Sequence, residues 1–294
     1  MKYIVTGSIG NISKPIAEAL IQGKHEVVII SSDAHKKQTI ENMGATAAIG
    51  DVNDVNFLTQ TFQGADAAYI MIPPIFTTED WPAYLKQIAD NYVQAINDSG
   101  IKKIVQLSSI GAHLGYGAGP INGLAYLEQQ LHQLDDVAVL SLRPSYFMTN
   151  FYTMVDLIKN AGIMGSNFGQ GDQNMVLVHP SDIAAVAAEH LLALDFTGHS
   201  HQYISSDVRT FDEIGKVIGS AIGKPELSWV KFSDEDAYNG MLGAGLKATN
   251  ADGYLEMGQG INSGIVQEDY FKSGATPQGK VTLEDFAKEF AQAF

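Results

Sequence analysis

A short apolar strand that runs through a glycine turn into a helix opens this chain, and it limits the fold more than any other stretch. Tyr3-Ile4-Val5 reads as a buried strand. Thr6-Gly7-Ser8-Ile9-Gly10-Asn11 follows as a tight turn, and Ile12, Ile16, Ala19 and Leu20 then fall on one helical face. In a strand, turn and helix context, glycines at this spacing point to a dinucleotide site. Gly7 makes the sharp turn and Gly10 lets the backbone approach a pyrophosphate. The helix start offers that anion free N–H groups and the positive end of its dipole. Ser13 stands where a third glycine often sits, and its small side chain still allows close helix packing. An ordinary strand-to-helix turn would suit the same residues, so the rest of the chain has to decide.

Strand patterns at 26–30, 45–49, 67–72, 104–108 and 137–142 alternate with helical patterns at 39–43, 53–62, 81–97 and 122–134. That rhythm predicts an α/β chain with a doubly wound parallel sheet, a Rossmann arrangement, whose ligands sit at the carboxyl ends of the strands. Residues 1–150 read as the dinucleotide-binding domain, and 175–205 return to it. Residues 151–174 and 206–294 read as a smaller, mostly helical substrate lobe. Within these, a helix is expected over 151–159 and a loop over 162–174. A strand is expected at 176–178, a helix over 183–194 capped by Ser181 or Asp182, and a strand at 202–204 returning to the main sheet. Thr210 with Glu213, and Thr282 with Asp285, read as capping boxes. Residues 234–279 carry many glycines and few periodic runs, which predicts a mobile lobe over the cofactor.

Composition excludes several classes. The chain has 294 residues, of which 45% are apolar, enough for a full core without staples. It has no cysteine, which removes disulfides and thiolate chemistry. A formal net charge of -15 repels nucleic acid, and the basic residues occur only as pairs such as Lys36-Lys37 and Lys102-Lys103. No apolar run approaches a membrane span, and Met1-Lys2 leads straight into the first strand. The expectation is a cytoplasmic protein with a small-molecule substrate and neither nucleic acid nor membrane as a partner.

Strand two decides the cofactor. A carboxylate at its end would bind ribose hydroxyls, and a cation would accept a 2′-phosphate. Here Ser31 and Ser32 end the strand, with Lys36 close behind, a set that favours NADP, with NAD as the alternative. Thr6, Gly7, Ser8, Ile9, Gly10, Asn11 and Ile12 form the phosphate turn. Asp51 and Val52 end strand three, where the Asp51 carboxylate either meets an adenine amino group or caps the next helix. Ile72, Pro73 and Pro74 end strand four, and Ser108 and Ser109 end strand five at the mouth of the expected cleft. The chain has eight histidines, but His199 and His201 have no third ligand at a telling distance, so no metal site is expected. No Gly-x-Ser-x-Gly elbow is present, which argues against a serine hydrolase.

Taken together, Val5-Thr6-Gly7-Ser8-Ile9-Gly10-Asn11-Ile12, Gly50-Asp51, Ile104-Val105-Gln106-Leu107-Ser108-Ser109, Leu142-Arg143-Pro144-Ser145-Tyr146-Phe147-Met148-Thr149-Asn150 and His179-Pro180-Ser181-Asp182-Ile183-Ala184 resemble the NmrA-like family of atypical short-chain dehydrogenases/reductases over essentially the whole chain. The resemblance implies an NAD(P)-binding Rossmann fold, with the segment through Pro144, Tyr146 and Phe147 lining the cleft between cofactor and substrate lobes. It implies an NAD(P)H-dependent oxidoreductase that passes hydride to a small electrophile such as a quinone. The alternative is a non-catalytic NAD(P)-binding redox sensor acting through a protein partner. The chain departs from the wider superfamily's Tyr-x-x-x-Lys pair: Tyr116 is followed four residues on by Pro120, and Tyr126 by Gln130. Glu128 is present in this helix, but the position four residues before it is Leu124, where a lysine or histidine is usual. Tyr146, or Tyr116 on its glycine-rich loop, is then the candidate proton donor or stacking group. Hydride transfer to a quinone needs little beyond orientation of the nicotinamide.

Overall fold

Neighbouring strand residues point to opposite faces, and in this chain both faces are apolar, so the central sheet is buried on both sides. The computed structural model describes residues 1–294. The first half alternates β1 (Lys2–Val5), α1 (Ser13–Gln22), β2 (Glu26–Ser31), α2 (Lys37–Asn42), β3 (Thr46–Ile49), α3 (Val55–Phe62), β4 (Ala67–Ile70), α4 (Trp81–Ser99), β5 (Lys103–Leu107), α5 (Ile121–Leu131) and β6 (Ala138–Pro144). Then come β7 (Tyr146–Phe147), α6 (Val155–Ala161), β8 (Met164–Ser166), β9 (Asn174–Val178), α7 (Pro180–Ala193), β10 (His199–Ile204), β11 (Asp207–Thr210), α8 (Phe211–Ala221) and β12 (Trp229–Lys231). Helices α9 (Asp234–Gly243), α10 (Ala248–Ser263), α11 (Ile265–Lys272) and α12 (Leu283–Phe290) end the chain.

Seven strands form one parallel sheet in the order β10-β6-β5-β4-β1-β2-β3, the doubly wound order expected from the sequence. Side-chain alternation divides its two cores. Tyr3, Val5, Val27, Ile29 and Tyr69 pack with Ile16 and Leu20 of α1 and Ile183 and Leu191 of α7. Ile4, Val28, Ile30, Ala68 and Ile70 pack on the other face with Leu58, Phe62, Ile88, Tyr92 and Leu131. A third core joins Phe151, Phe168, Phe211, Trp229, Phe286 and Phe290 beside the carboxyl ends of the strands.

Several local expectations are corrected. The strand expected over 67–72 stops at Ile70, because the Met71 N–H bonds the Thr6 hydroxyl (2.9 Å) instead of a neighbouring strand. β6 runs on through Arg143 and Pro144, since β10 pairs with it as far as Ile204 opposite Pro144. The helix expected from 151 is a 3₁₀ turn over Met148–Met154 that only then enters α6. Within the expected loop 162–174, β8 pairs with β12. β9 lies in a separate three-stranded sheet between β11 and β7, while β10 joins the main sheet. Residues 234–279 are mostly the helices α9, α10 and α11, and the glycines of α10 sit at close packing contacts.

The cap of α7 is neither Ser181 nor Asp182. His179 caps it, its Nδ1 accepting the Ser181 N–H at 3.2 Å. Asp182 is buried and accepts the Ser206 hydroxyl (2.7 Å) and the N–H groups of Lys280 (3.0 Å) and Val281 (3.1 Å). That carboxylate ties the chain's last segment to α7. Thr210 and Glu213 do form a reciprocal capping box, and the Thr282 hydroxyl accepts the Asp285 N–H at 3.2 Å.

Candidate functional site

Two successive residues of the opening turn lie in the left-handed region, Gly7 at φ +85° and Ser8 at φ +58°. A Cβ on Gly7 would stand 2.4 Å from Ser13 Oγ, so the glycine is needed for both its conformation and its space. Thr6 anchors the turn: its N–H donates to Tyr69 O (3.0 Å), and its buried hydroxyl accepts from Met71 N–H. Ser8 ties it to β2, its N–H on Ile30 O (3.1 Å) and its hydroxyl on Ser31 Oγ (2.9 Å). The N–H groups of Ile9, Asn11, Ile12 and Ser13 bond nothing in the chain, and Gly10 and Asn11 are exposed. Four donors at a helix start, approached through two residues without a Cβ, fit a pyrophosphate.

The turn opens on a cavity of about 330 Å³ at the carboxyl ends of β1 to β4, where the strand order reverses. Of the expected cofactor residues, Gly7, Ser8, Ser31, Ser32, Asp51, Val52, Pro73 and Pro74 line it. Ile30, Asn53, Met71, Ile75 and Tyr84 also line it and were not expected, because only the folded sheet brings them together. Ser31 belongs to the wall: it is 2% exposed, and its hydroxyl is committed to Ser8 and to the Asp33 N–H (3.2 Å). Ser32 is exposed on the rim, and Lys36 is half-buried with no carboxylate in ion-pair range. Asp33 caps the next turn through the His35 N–H (2.9 Å). Asp51 does not cap α3. Its Oδ1 holds the N–H (2.9 Å) and side-chain amide (2.8 Å) of Asn53, while Asp54 caps the helix. The hydroxyl of Tyr84 is pushed above the ordinary tyrosine range by burial and then by the Asp51 charge.

Farther along the sheet edge, the loop after β5 runs beside β6. Ser108 N–H donates to Leu142 O and Ile110 N–H to Pro144 O, each at 2.8 Å. The Ser108 hydroxyl is buried and has no partner, an orphaned donor at a strand end, while Ser109 is half-buried. Ile72 is buried nearby in sequence to the cavity residues Pro73 and Pro74, and Phe147 is half-buried. Tyr146 packs its ring on Phe151 (5.6 Å) and Phe168 (6.0 Å). Burial raises its hydroxyl far above the ordinary range, so it stays protonated. Tyr116 stands 80% exposed, where water screens any chemistry it could do.

Behind Pro144, Arg143 makes a bidentate pair with Glu128, Nε to Oε1 at 3.1 Å and Nη2 to Oε2 at 2.7 Å. Both side chains are nearly buried, so α5 is fastened to the strand that leads into the cleft. The one visible signal for this pair was an arginine inside an apolar strand. No three His, Asp or Glu side chains gather as a metal ion would require. His199 stacks on His132 instead (4.8 Å). No helix is long and apolar enough to cross a membrane.

The unbonded turn amides, the space held by Gly7 and Gly10, and the orphaned Ser108 hydroxyl all suit a nicotinamide dinucleotide. Comparison with known proteins agrees. The NAD(P)H-binding family matches over residues 7–137. Agroclavine dehydrogenase of Claviceps fusiformis is 22% identical over 274 residues, covering 91% of this chain and 89% of that protein. The fold is shared with the Escherichia coli NADPH-dependent quinone oxidoreductase solved with NADPH (TM-score 0.77, 17% identity, 98% of this chain and 99% of that one). It is shared equally with the Citrobacter sp. triphenylmethane reductase solved with NADP(H) (TM-score 0.76, 19% identity, 98% and 99%). Residues 7–137 are therefore similar to the NAD(P)H-binding family, and the α/β fold is shared with the two solved reductases.

Proposed function

We propose that this protein is an NAD(P)H-dependent reductase that passes hydride to a small electrophile such as a quinone, with NADPH the preferred donor. The observation that carries the reading is the row of unbonded turn amides opening on a cavity at the strand-order switch point. When bound, the reduced nicotinamide would supply a hydride, which carries both electrons of the reduction and leaves the oxidised nicotinamide, and the reduced acceptor anion takes one proton from water. The chain's own work is binding and orientation. Amides of Ile9, Asn11, Ile12 and Ser13 hold phosphate, and Ser32 with Lys36 meets a 2′-phosphate at the rim. Ser108 donates to the nicotinamide half, and Ile72, Pro73 and Phe147 keep water off the reacting face. Full-length likeness to quinone and dye reductases supports this acceptor class.

Fluorescence titration with NADPH and NADH, followed by NADPH oxidation with a panel of quinones, tests the proposal. Micromolar binding that favours NADPH, with turnover above background, is expected. Binding without turnover on any quinone would sink the reductase reading in favour of a cofactor-sensing one. Failure of both dinucleotides to bind would reduce the turn to architecture.

A further inference from the structure

Helix α10 closes over the carboxyl ends of the strands, and its seating is unusually close. Asn250 Nδ2 donates to Ile75 O (3.0 Å), and Lys247 pairs with Glu79 at 2.5 Å. These bonds fix the helix start to the segment that follows β4. Gly253 touches the Trp81 ring, where a Cβ would lie 3.0 Å from Cζ3. One turn past Tyr254, Gly258 abuts Asn167, where a Cβ would lie 2.0 Å from Oδ1.

Tyr254 is therefore placed from both sides. Its ring leans on Trp81 with centroids 5.1 Å apart. Residues one helical turn apart share a face, so Tyr254 faces the same way as Gly258, toward Asn167. Asn167 is followed by Phe168, whose ring meets Tyr146 edge to face at 6.0 Å. Tyr254 and Tyr146 thus stand near one another, α10 beside the end of β6 and β7, close enough for the Tyr254 phenol to act on that of Tyr146 through space. The Tyr254 hydroxyl has no hydrogen-bond partner in the chain, the Tyr146 hydroxyl is within side-chain reach of the Asn150 amide, and both residues are half-buried. Burial raises both phenols above the ordinary range, so both remain O–H donors at neutral pH.

We infer that Tyr146 and Tyr254 form a pair of phenol donors that binds and orients an acceptor through its carbonyl oxygens. The inference rests on the reductase reading and names the acceptor class for it, a planar carbonyl compound held by its oxygens. Tyr254 takes the place that sequence reading had offered to Tyr116. The pair positions the acceptor; burial makes the phenols poor acids, and the proton comes from water.

The test uses 1,4-naphthoquinone as the probe and the full chain loaded with NADP⁺, which cannot deliver hydride. Quinone binding is read by quenching of tryptophan fluorescence, since Trp81 underlies Tyr254. Tyr254→Phe keeps the ring and its packing and removes only the donor. The expected result is a roughly tenfold weaker naphthoquinone dissociation constant with NADP⁺ affinity unchanged. Tyr146→Phe should do the same. In turnover, kcat/KM should fall for naphthoquinone and hold for a cationic triarylmethane dye that offers no carbonyl oxygen. Unchanged naphthoquinone binding in Tyr254→Phe, an equal loss with the dye, or no naphthoquinone binding by the parent protein would each overturn the inference. Binding that responds to Tyr254→Phe without any turnover in the parent would uphold the pair and fail the reductase reading instead.

Discussion

Replacing Glu128 by leucine should destabilise the fold by an amount the structure bounds. Glu128 is 4% exposed and Arg143 8%, and the two form a bidentate pair at 3.1 and 2.7 Å. Removing one partner of such a pair leaves a buried charge without compensation and costs about 3–5 kcal/mol. Arg143 would keep only distant partners, the Tyr203 hydroxyl at 3.5 Å and Asp269 at 3.9 Å. Asp269 is 40% exposed, so its help is screened, and the lower end, about 3 kcal/mol, is expected. Unfolding entropy of about 2.1 cal/mol/K per residue, over 294 residues, comes to about 0.6 kcal/mol/K. The unfolding temperature should therefore fall by about 5 °C. Calorimetry together with equilibrium urea unfolding reads this directly. The double variant Glu128→Leu, Arg143→Met removes both charges and should recover most of the loss. A single variant within about 1 °C of the parent, or a double variant no better than the single, would refute the reasoning, because either would mean that the guanidinium does not depend on Glu128.

Three further expectations follow from the same geometry. Gly7→Ala must hold a left-handed backbone, at a cost of about 1–2 kcal/mol, and push the Ser13 hydroxyl aside. NADPH should bind at least roughly tenfold more weakly, and an unchanged titration curve would contradict the role given to the turn. Ser32→Asp puts a carboxylate on the cavity rim beside the proposed 2′-phosphate, so NADPH should lose roughly tenfold in affinity while NADH does not, and equal losses would count against that site. Burial holds His132 below the ordinary 6.5, with the stacked His199 adding to the effect. The unfolded chain then takes up this proton at a higher pH than the folded one. The associated stability is fully present above pH 6.5 and is lost as the pH falls through the lower folded value. Unfolding temperature should drop on acidification through that window, and His132→Gln should flatten the slope; identical slopes would exclude His132 as the source.

Much of the fold was legible because its signals are local. β1, the glycine turn and α1 lie within a span of twenty residues, and strand and helix periods can be read without knowing any partner. The continuous apolar strands announced a sheet covered on both faces. The candidate site was half legible. The turn, Ser32, Asp51 and the two prolines could be placed because ligand sites in such folds follow strand ends. Ser31 lines the cavity as well, but sequence does not say which way a strand-end hydroxyl points. Its contact with Ser8 and the Asp33 amide turns it inward.

What the sequence determined by itself is the order of the elements, the alternation that makes the sheet and the glycine turn at its carboxyl edge. What only the tertiary structure decided is the packing on the side proposed for the acceptor. Asn250 reaches Ile75 across 175 residues, and Asp182 meets Val281 across 99. Tyr254 stands near the end of β6 only because small residues of α10 let that helix settle onto Trp81 and Asn167. Such contacts depend on the shape of two surfaces that local period and propensity do not describe, and burial of their polar groups is settled only when both surfaces are in place.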